Sequence, residues 1–229
     1  MHQNWGKLLF LHWSVPVSVL RPMIPKKLEI DTHEGGAWVS ITPFTMWGIR
    51  PTMLPAIPGL SDSHELNVRT YVHAEGVPGV WFFSLDASNV IAVLAARLGF
   101  HLPYFQAEMY MDEAADTISF TSRRTDERGA KAEFSARWTR GKALPTPAPD
   151  SLEFFLVERY CLYAAQDEKL YRARIHHQPW SLRAATIDTL SSTMGEAHGM
   201  KLPDKPALVH AQGESLAVEI WPLKELARP

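Results

Sequence analysis

The chain has 229 residues with 23 Lys+Arg against 25 Asp+Glu, a formal net charge of −2. This is enough chain for one self-sufficient core, and too balanced for the basic stripe of a nucleic-acid binder. Charged residues at 21% and hydrophobic ones at 46% exclude a disordered chain, and Cys161, the only cysteine, excludes an internal disulfide or a multi-cysteine zinc site and suits a reducing cytoplasm.

The apolar stretch Leu8 to Leu20 is interrupted by His12, Trp13 and Pro16. It is too short to span a bilayer and has neither the basic flank nor the cleavage site of a signal peptide, so no membrane association is expected. Leu8 to Val15 reads as a strand. Pro16 to Ile24 has apolar residues near helical spacing and reads as a short helix ended by Pro25. Leu28 to Asp31 and Ala37 to Met46 are strand-like, separated by the turn signal Glu34-Gly35-Gly36. Arg50 to Ser63 is Pro-rich, yet Met53, Leu54, Ile57 and Leu60 make it too apolar for a solvated linker, so it reads as a lid packed on the body.

Glu65 to Val72 alternates strictly, and a strand sends alternate side chains to opposite faces. Leu66, Val68, Thr70 and Val72 share one face; Glu65, Asn67, Arg69 and Tyr71 share the other. That polar ladder faces either water, as on any half-exposed antiparallel strand, or the interior of a pocket. The hairpin signal Glu75 to Gly79 leads into Val80 to Leu85, apolar enough to be buried on both faces. Asp86 or Ser88 then suits the cap of a helix over Asn89 to Leu98. Tyr104 to Met111, Thr117 to Thr125 and Ala130 to Thr139 form a meander, with Arg123-Arg124 read as its solvated hairpin end. A helical turn over Ser151 to Val157 follows, then strands near Tyr160 to Ala164, Leu170 to His176, Leu182 to Leu190 and Leu216 to Trp221. The 17 prolines and 8 tryptophans fit many turns around an aromatic-lined interior. The whole of residues 1–229 reads as one α+β domain dominated by antiparallel sheet.

Several stretches, taken together, resemble a known family. They are Thr42-Pro43-Phe44, Arg50-Pro51, Glu65 to Val72, Pro78 to Asp86, Leu102-Pro103-Tyr104, Glu158-Arg159-Tyr160 and His176-His177-Gln178-Pro179-Trp180. Over nearly its full length the chain is similar to the YqjF-like family of uncharacterised bacterial domains, within the acetoacetate decarboxylase-like superfamily. The resemblance implies a mainly antiparallel, closed cone-like β-barrel with a few flanking helices and a small-molecule site inside. The decarboxylases carry a tandem Lys-Lys after the proline matching Pro103, and one of these lysines forms a Schiff base with substrate. Here those positions are Tyr104 and Phe105, and no lysine occurs between Lys27 and Lys131. The resemblance thus implies a pocket without imine chemistry, retaining Glu65 at the position of a pocket glutamate and Arg97 on the preceding helix.

Within that pocket Glu65 suits a general base if burial raises its pKa, and Tyr104 an oxyanion or proton-transfer group. Arg69 suits a carboxylate clamp, since its planar guanidinium matches two oxygens at once. Asn67, Tyr71, Arg97 and His177 complete the candidate ligand-binding set. No metal or cofactor is expected: adjacent His176 and His177 point to opposite faces, no HxH or HExxH spacing occurs, and no dinucleotide or nucleotide fingerprint is present. Cys161 has no flanking base and reads as a buried hydrophobe. Ser84 lies outside any G-x-S-x-G elbow. The leading functional reading is a small-molecule pocket protein, an enzyme on a small organic acid or carbonyl compound if catalytic. Its alternative is a non-catalytic ligand-binding or interaction protein with an apolar barrel cavity. The sequence leaves oligomeric state open, although this superfamily commonly assembles into homo-oligomers.

Overall fold

The computed structural model describes residues 1–51, 61–89 and 99–226. The loop expected as a lid falls largely on 52–60, and the helix expected to carry Arg97 on 90–98, so both lie outside the described residues. The early strands are β1 (His2–Gly6), β2 (Leu9–Val15), β3 (Glu29–Ile30), β4 (Ala37–Arg50), β5 (Ser63–Ala74) and β6 (Val77–Ala87). The meander is β7 (Tyr104–Ala114), β8 (Thr117–Arg124) and β9 (Glu133–Ala143). The remainder are β10 (Cys161–Gln166), β11 (Lys169–His176), β12 (Leu182–Ser192), β13 (Leu208–Gln212), β14 (Leu216–Ile220) and β15 (Lys224–Glu225). The helices are short: α1 (Val17–Leu20), and α2 (Leu152–Val157), where Ser151 Oγ accepts the Phe154 N–H as N-cap. Strands β1, β13 and β15 were not read from the sequence; each is short, and β1 and β15 carry no apolar alternation.

The sheet closes on itself, which removes its long edges. Strands β1, β14, β11, β10, β6, β5 and β4 pair in a seven-membered ring. Strands β4, β5, β6, β7, β8, β9, β12, β13 and β2 pair in a second ring of nine. The two rings share β4–β5–β6. The α+β architecture with a closed, mainly antiparallel sheet is as expected, except that β6 pairs in parallel with both β7 and β10.

Sharing three strands gives each of them two interiors. On β5, Leu66, Val68 and Val72 enter the core of the nine-stranded ring, while Tyr71 enters that of the seven-stranded ring. The β5 alternation therefore separates two buried environments rather than core from water, and Glu65 (3% exposed) and Asn67 (5% exposed) face the second of them. On β6, Val80, Phe82 and Leu85 all belong to the seven-stranded side although their spacing breaks period two. The register shift opposite Val68 and Arg69, which steps from Ser84 to Phe82, supplies the switch.

The β5–β6 turn takes Glu75 and Gly76 through positive φ (54° and 72°), the pattern a two-residue hairpin needs. Gly79 answers a different demand. A Cβ there would lie 2.8 Å from the Cys161 carbonyl oxygen and from the Tyr163 ring, so only glycine lets β6 approach β10 and close the seven-stranded ring.

Candidate functional site

The seven-stranded ring encloses a cavity of about 180 Å³. Its walls are largely apolar, with Trp5, Phe44, Phe82 and Trp180 among the lining side chains, and β5 contributes more of its polar groups than any other strand. Glu65, Asn67 and Arg69 project into it at alternate positions, as the pleat requires. Tyr104, at the start of β7, reaches the same space because β7 runs parallel beside the end of β6, with Leu85 opposite Tyr104.

Tyr104 Oη donates to Glu65 Oε2 at 2.9 Å. Burial raises the Glu65 pKa from 4.5 to about 7; the Tyr104 and Asn67 hydrogen bonds oppose the shift and the nearby Asp86 charge adds to it. Tyr104 is pushed well above the usual phenol value by burial and by the Glu65 charge, so it acts at neutral pH as a hydrogen-bond donor, not a base. Asn67 Oδ1 accepts from Thr42 Oγ1, which sets the carboxamide orientation.

Arg69 sits at the other end of the ladder. Its Nη2 donates to the Leu156 carbonyl at 3.4 Å, its guanidinium lies 5.6 Å from the Phe10 ring centroid, and its buried Nε has no partner. Among the described residues no ion pair includes Arg69. Its neighbour Arg159, also on the cavity wall, is neutralised by Asp31 (Nη1 to Oδ2, 2.6 Å) and held by the Phe155 carbonyl. Among the described residues the buried Arg159 is thus compensated by a carboxylate and the partly buried Arg69 is not. Arg159 was quoted from the sequence only as part of a matching stretch; its pocket position depends on Asp31, 128 residues away, and no local signal shows it.

The remaining candidates divide. His177 lines the cavity, packed between Tyr160 (4.8 Å) and Trp180 (5.0 Å); its Nδ1 donates to the Gln178 carbonyl, and burial lowers its pKa, which leaves Nε2 unprotonated at neutral pH. Tyr71 is not on the wall. It is fully buried, its hydroxyl donates to the Leu156 carbonyl at 2.9 Å, and Ser40 Oγ lies 2.5 Å away, so it holds the floor under Arg69 instead of facing a ligand. Arg97 lies outside the described residues.

Two further readings are corrected. Arg123 is exposed, but Arg124 is not a solvated hairpin end: it makes a two-pronged pair with Asp86 (2.9 and 2.7 Å), both side chains being almost fully buried, with Phe105 over its guanidinium at 4.2 Å. Asp86 is thereby engaged by Arg124, and the helix it was read as capping lies outside the described residues. Ser84 Oγ meets His198 Nε2 at 2.9 Å, although neither residue lines the cavity.

Among the described residues no group of three or more His, Cys, Asp or Glu side chains is placed to hold a metal ion, and no helix is long and apolar enough to cross a membrane. Every lysine of the sequence falls within the described residues; each is exposed, and none lines the cavity.

Comparison with known proteins agrees with this architecture. The sequence profile of the family DUF2071, described as an uncharacterized conserved protein, matches residues 2–215. The uncharacterized protein YqjF of Bacillus subtilis (strain 168) is 44% identical over 225 residues, covering 98% of this chain and 92% of that protein. Among solved structures, the enduracididine biosynthesis enzyme MppR, complexed with the condensation product of pyruvate and imidazole 4-carboxaldehyde, superposes with a TM-score of 0.66 at 13% identity, covering 98% of this chain and 88% of that one. Acetoacetate decarboxylase from Legionella pneumophila superposes with a TM-score of 0.63 at 12% identity, covering 99% and 88%. At such identities the likeness to solved structures establishes the fold.

Proposed function

The chain belongs to the DUF2071 family, and from that membership and the geometry of its cavity we propose that it binds a small organic anion inside the seven-stranded ring and transfers a proton to or from it. Arg69 holds the anionic group, Glu65 is the base, and Tyr104 donates to Glu65 or to an oxyanion formed beside it. The observation that carries this reading is Glu65 itself. It is a carboxylate removed from water, with no ion pair among the described residues, and its pKa is raised to about 7 at the wall of the cavity. A structural carboxylate this deep would be expected to sit against a cation, as Asp86 sits against Arg124. A group half-ionised at neutral pH is poised to take and return a proton.

Two solved structures of this fold contain or bear on small-molecule chemistry: MppR is described as complexed with a pyruvate condensation product, and the Legionella protein as acetoacetate decarboxylase. For the present chain the fold supports a ligand inside the ring, whereas the lysines do not support an imine. A nucleophilic amine must reach the ligand from within a desolvated pocket, and each lysine here is exposed.

The test is a thermal-shift screen with small carboxylates and ketones on the wild type and Arg69→Gln, since a ligand that binds the folded state raises its apparent stability. The expected result is a shift with carboxylates that Arg69→Gln abolishes. Shifts from ketones alone, indifferent to Arg69, would refute the anion assignment. The non-catalytic alternative separates at turnover: an enzyme converts its ligand, and Glu65→Gln still binds it but no longer converts it, whereas a pure binding protein leaves the ligand unchanged with either chain.

A further inference from the structure

Building on that anion-pocket reading, we infer that the ligand is a single-ring aromatic carboxylate, its anionic group separated from its reacting end by the ring, and not a short oxo acid. Three independent features point there. The first is the length of the ladder. Arg69 and Glu65 are four residues apart on one strand, about 13 Å between their backbone positions at the usual rise. Among the described residues no ion pair joins them, and Asn67, tied to Thr42 and hydrogen-bonded to Glu65, occupies the span between. The two side chains reach inward and cover part of that span, and the ligand must bridge what remains; a ring places its reacting end well away from its carboxylate, whereas in pyruvate or acetoacetate the carboxylate and the reacting carbon are directly bonded.

The second feature is volume. The cavity of about 180 Å³ slightly exceeds the apolar cavity of about 150 Å³ that takes up benzene. It suits one ring with a small substituent, not a fused ring system.

The third is the aromatic part of the wall. Trp5 and Trp180 lie nearly parallel (20°, 6.2 Å between centroids), and Phe44 meets Trp5 edge-on at 5.6 Å. These flat, rigid surfaces favour another flat ring in stacked or edge-on contact. The indole N–H groups of Trp5 and Trp180 are buried with no partner.

The experiment is isothermal titration calorimetry of the wild-type chain with benzoate and 4-hydroxybenzoate against acetate, pyruvate and acetoacetate, repeated with Arg69→Gln and with benzyl alcohol as an uncharged ring. The expected result is that the aryl acids bind about tenfold or more tighter than each short acid, because only they fill the apolar space. Arg69→Gln should weaken the aryl acids about tenfold while leaving benzyl alcohol unchanged. The wild-type ratio needs no variant, so a folding defect in Arg69→Gln does not obscure it. Short oxo acids binding as tightly as the aryl acids, with the same dependence on Arg69, would overturn the aromatic assignment and leave the anion pocket standing. Absence of any Arg69-dependent carboxylate binding would overturn both.

Discussion

Replacing Glu65 by Gln should stabilise the protein, and by an amount that depends on pH. In the folded chain Glu65 is 3% exposed and titrates at about 7 instead of 4.5. Between those two values the folded state holds a proton that the unfolded state has released, so stability falls as pH rises through this window. The full penalty, reached above pH 7, is 2.5 pKa units at 1.36 kcal/mol each, or about 3 kcal/mol. Gln keeps the shape, still accepts from Tyr104, and carries no charge to bury. The variant and the wild type should therefore lie within about 1 kcal/mol of each other at pH 5, and the variant should pull further ahead toward pH 8. For a chain of this size about 3 kcal/mol corresponds to roughly 6–12 °C in Tm. Thermal unfolding of both proteins, followed by circular dichroism from pH 5 to 8.5, measures the difference directly, and titrations common to both cancel. A difference that stays flat with pH, or a wild type more stable than the variant at pH 8, would refute the assignment of Glu65 as a buried acid with a raised pKa. The gain in stability should accompany loss of any proton-transfer activity, since a site that strains the fold is kept for what it does.

Further outcomes follow from the same structure. Tyr104→Phe removes a hydrogen bond that favours ionised Glu65, so the pH window of the Glu65→Gln comparison, repeated on the Phe background, should shift upward; an unchanged or lower window would contradict the contact. Arg124→Ala strands Asp86 in the interior and should cost about 3–5 kcal/mol in urea unfolding at pH 7; a cost below about 1 kcal/mol would show the pair to be solvated. Gly79→Ala forces a methyl against the Cys161 carbonyl and should destabilise by about 1–3 kcal/mol through the β6–β10 seam, which chemical denaturation would reveal and a neutral result would exclude. Borohydride reduction with acetoacetate present should leave the intact mass unchanged; a stoichiometric adduct on a cavity-facing lysine would disprove the exclusion of imine chemistry.

What the sequence determined by itself was local. Period-two alternation marks β5, β8 and β9, because pleat and side-chain direction are properties of a few consecutive residues. Glycine-containing turns mark the hairpins for the same reason, and the replacement of the tandem lysines by Tyr104 and Phe105 is legible in a list of residues. Tertiary structure decided everything that depends on closure. The Glu65-Asn67-Arg69-Tyr71 face is chemically the same whether it meets water or a cavity; it became a pocket wall because two rings share β4, β5 and β6 and leave neither face of β5 to solvent. Tyr71 left the ligand set, although its alternation matches the rest, because α2 offers it the Leu156 carbonyl. Arg124 moved from surface to interior because Asp86, 38 residues away, waits there. Arg159 joined the site through Asp31 and Tyr104 through the parallel β6–β7 pairing. Burial and charge pairing arise between segments distant in sequence, so no window of adjacent residues contains them, and burial is what raises the Glu65 pKa.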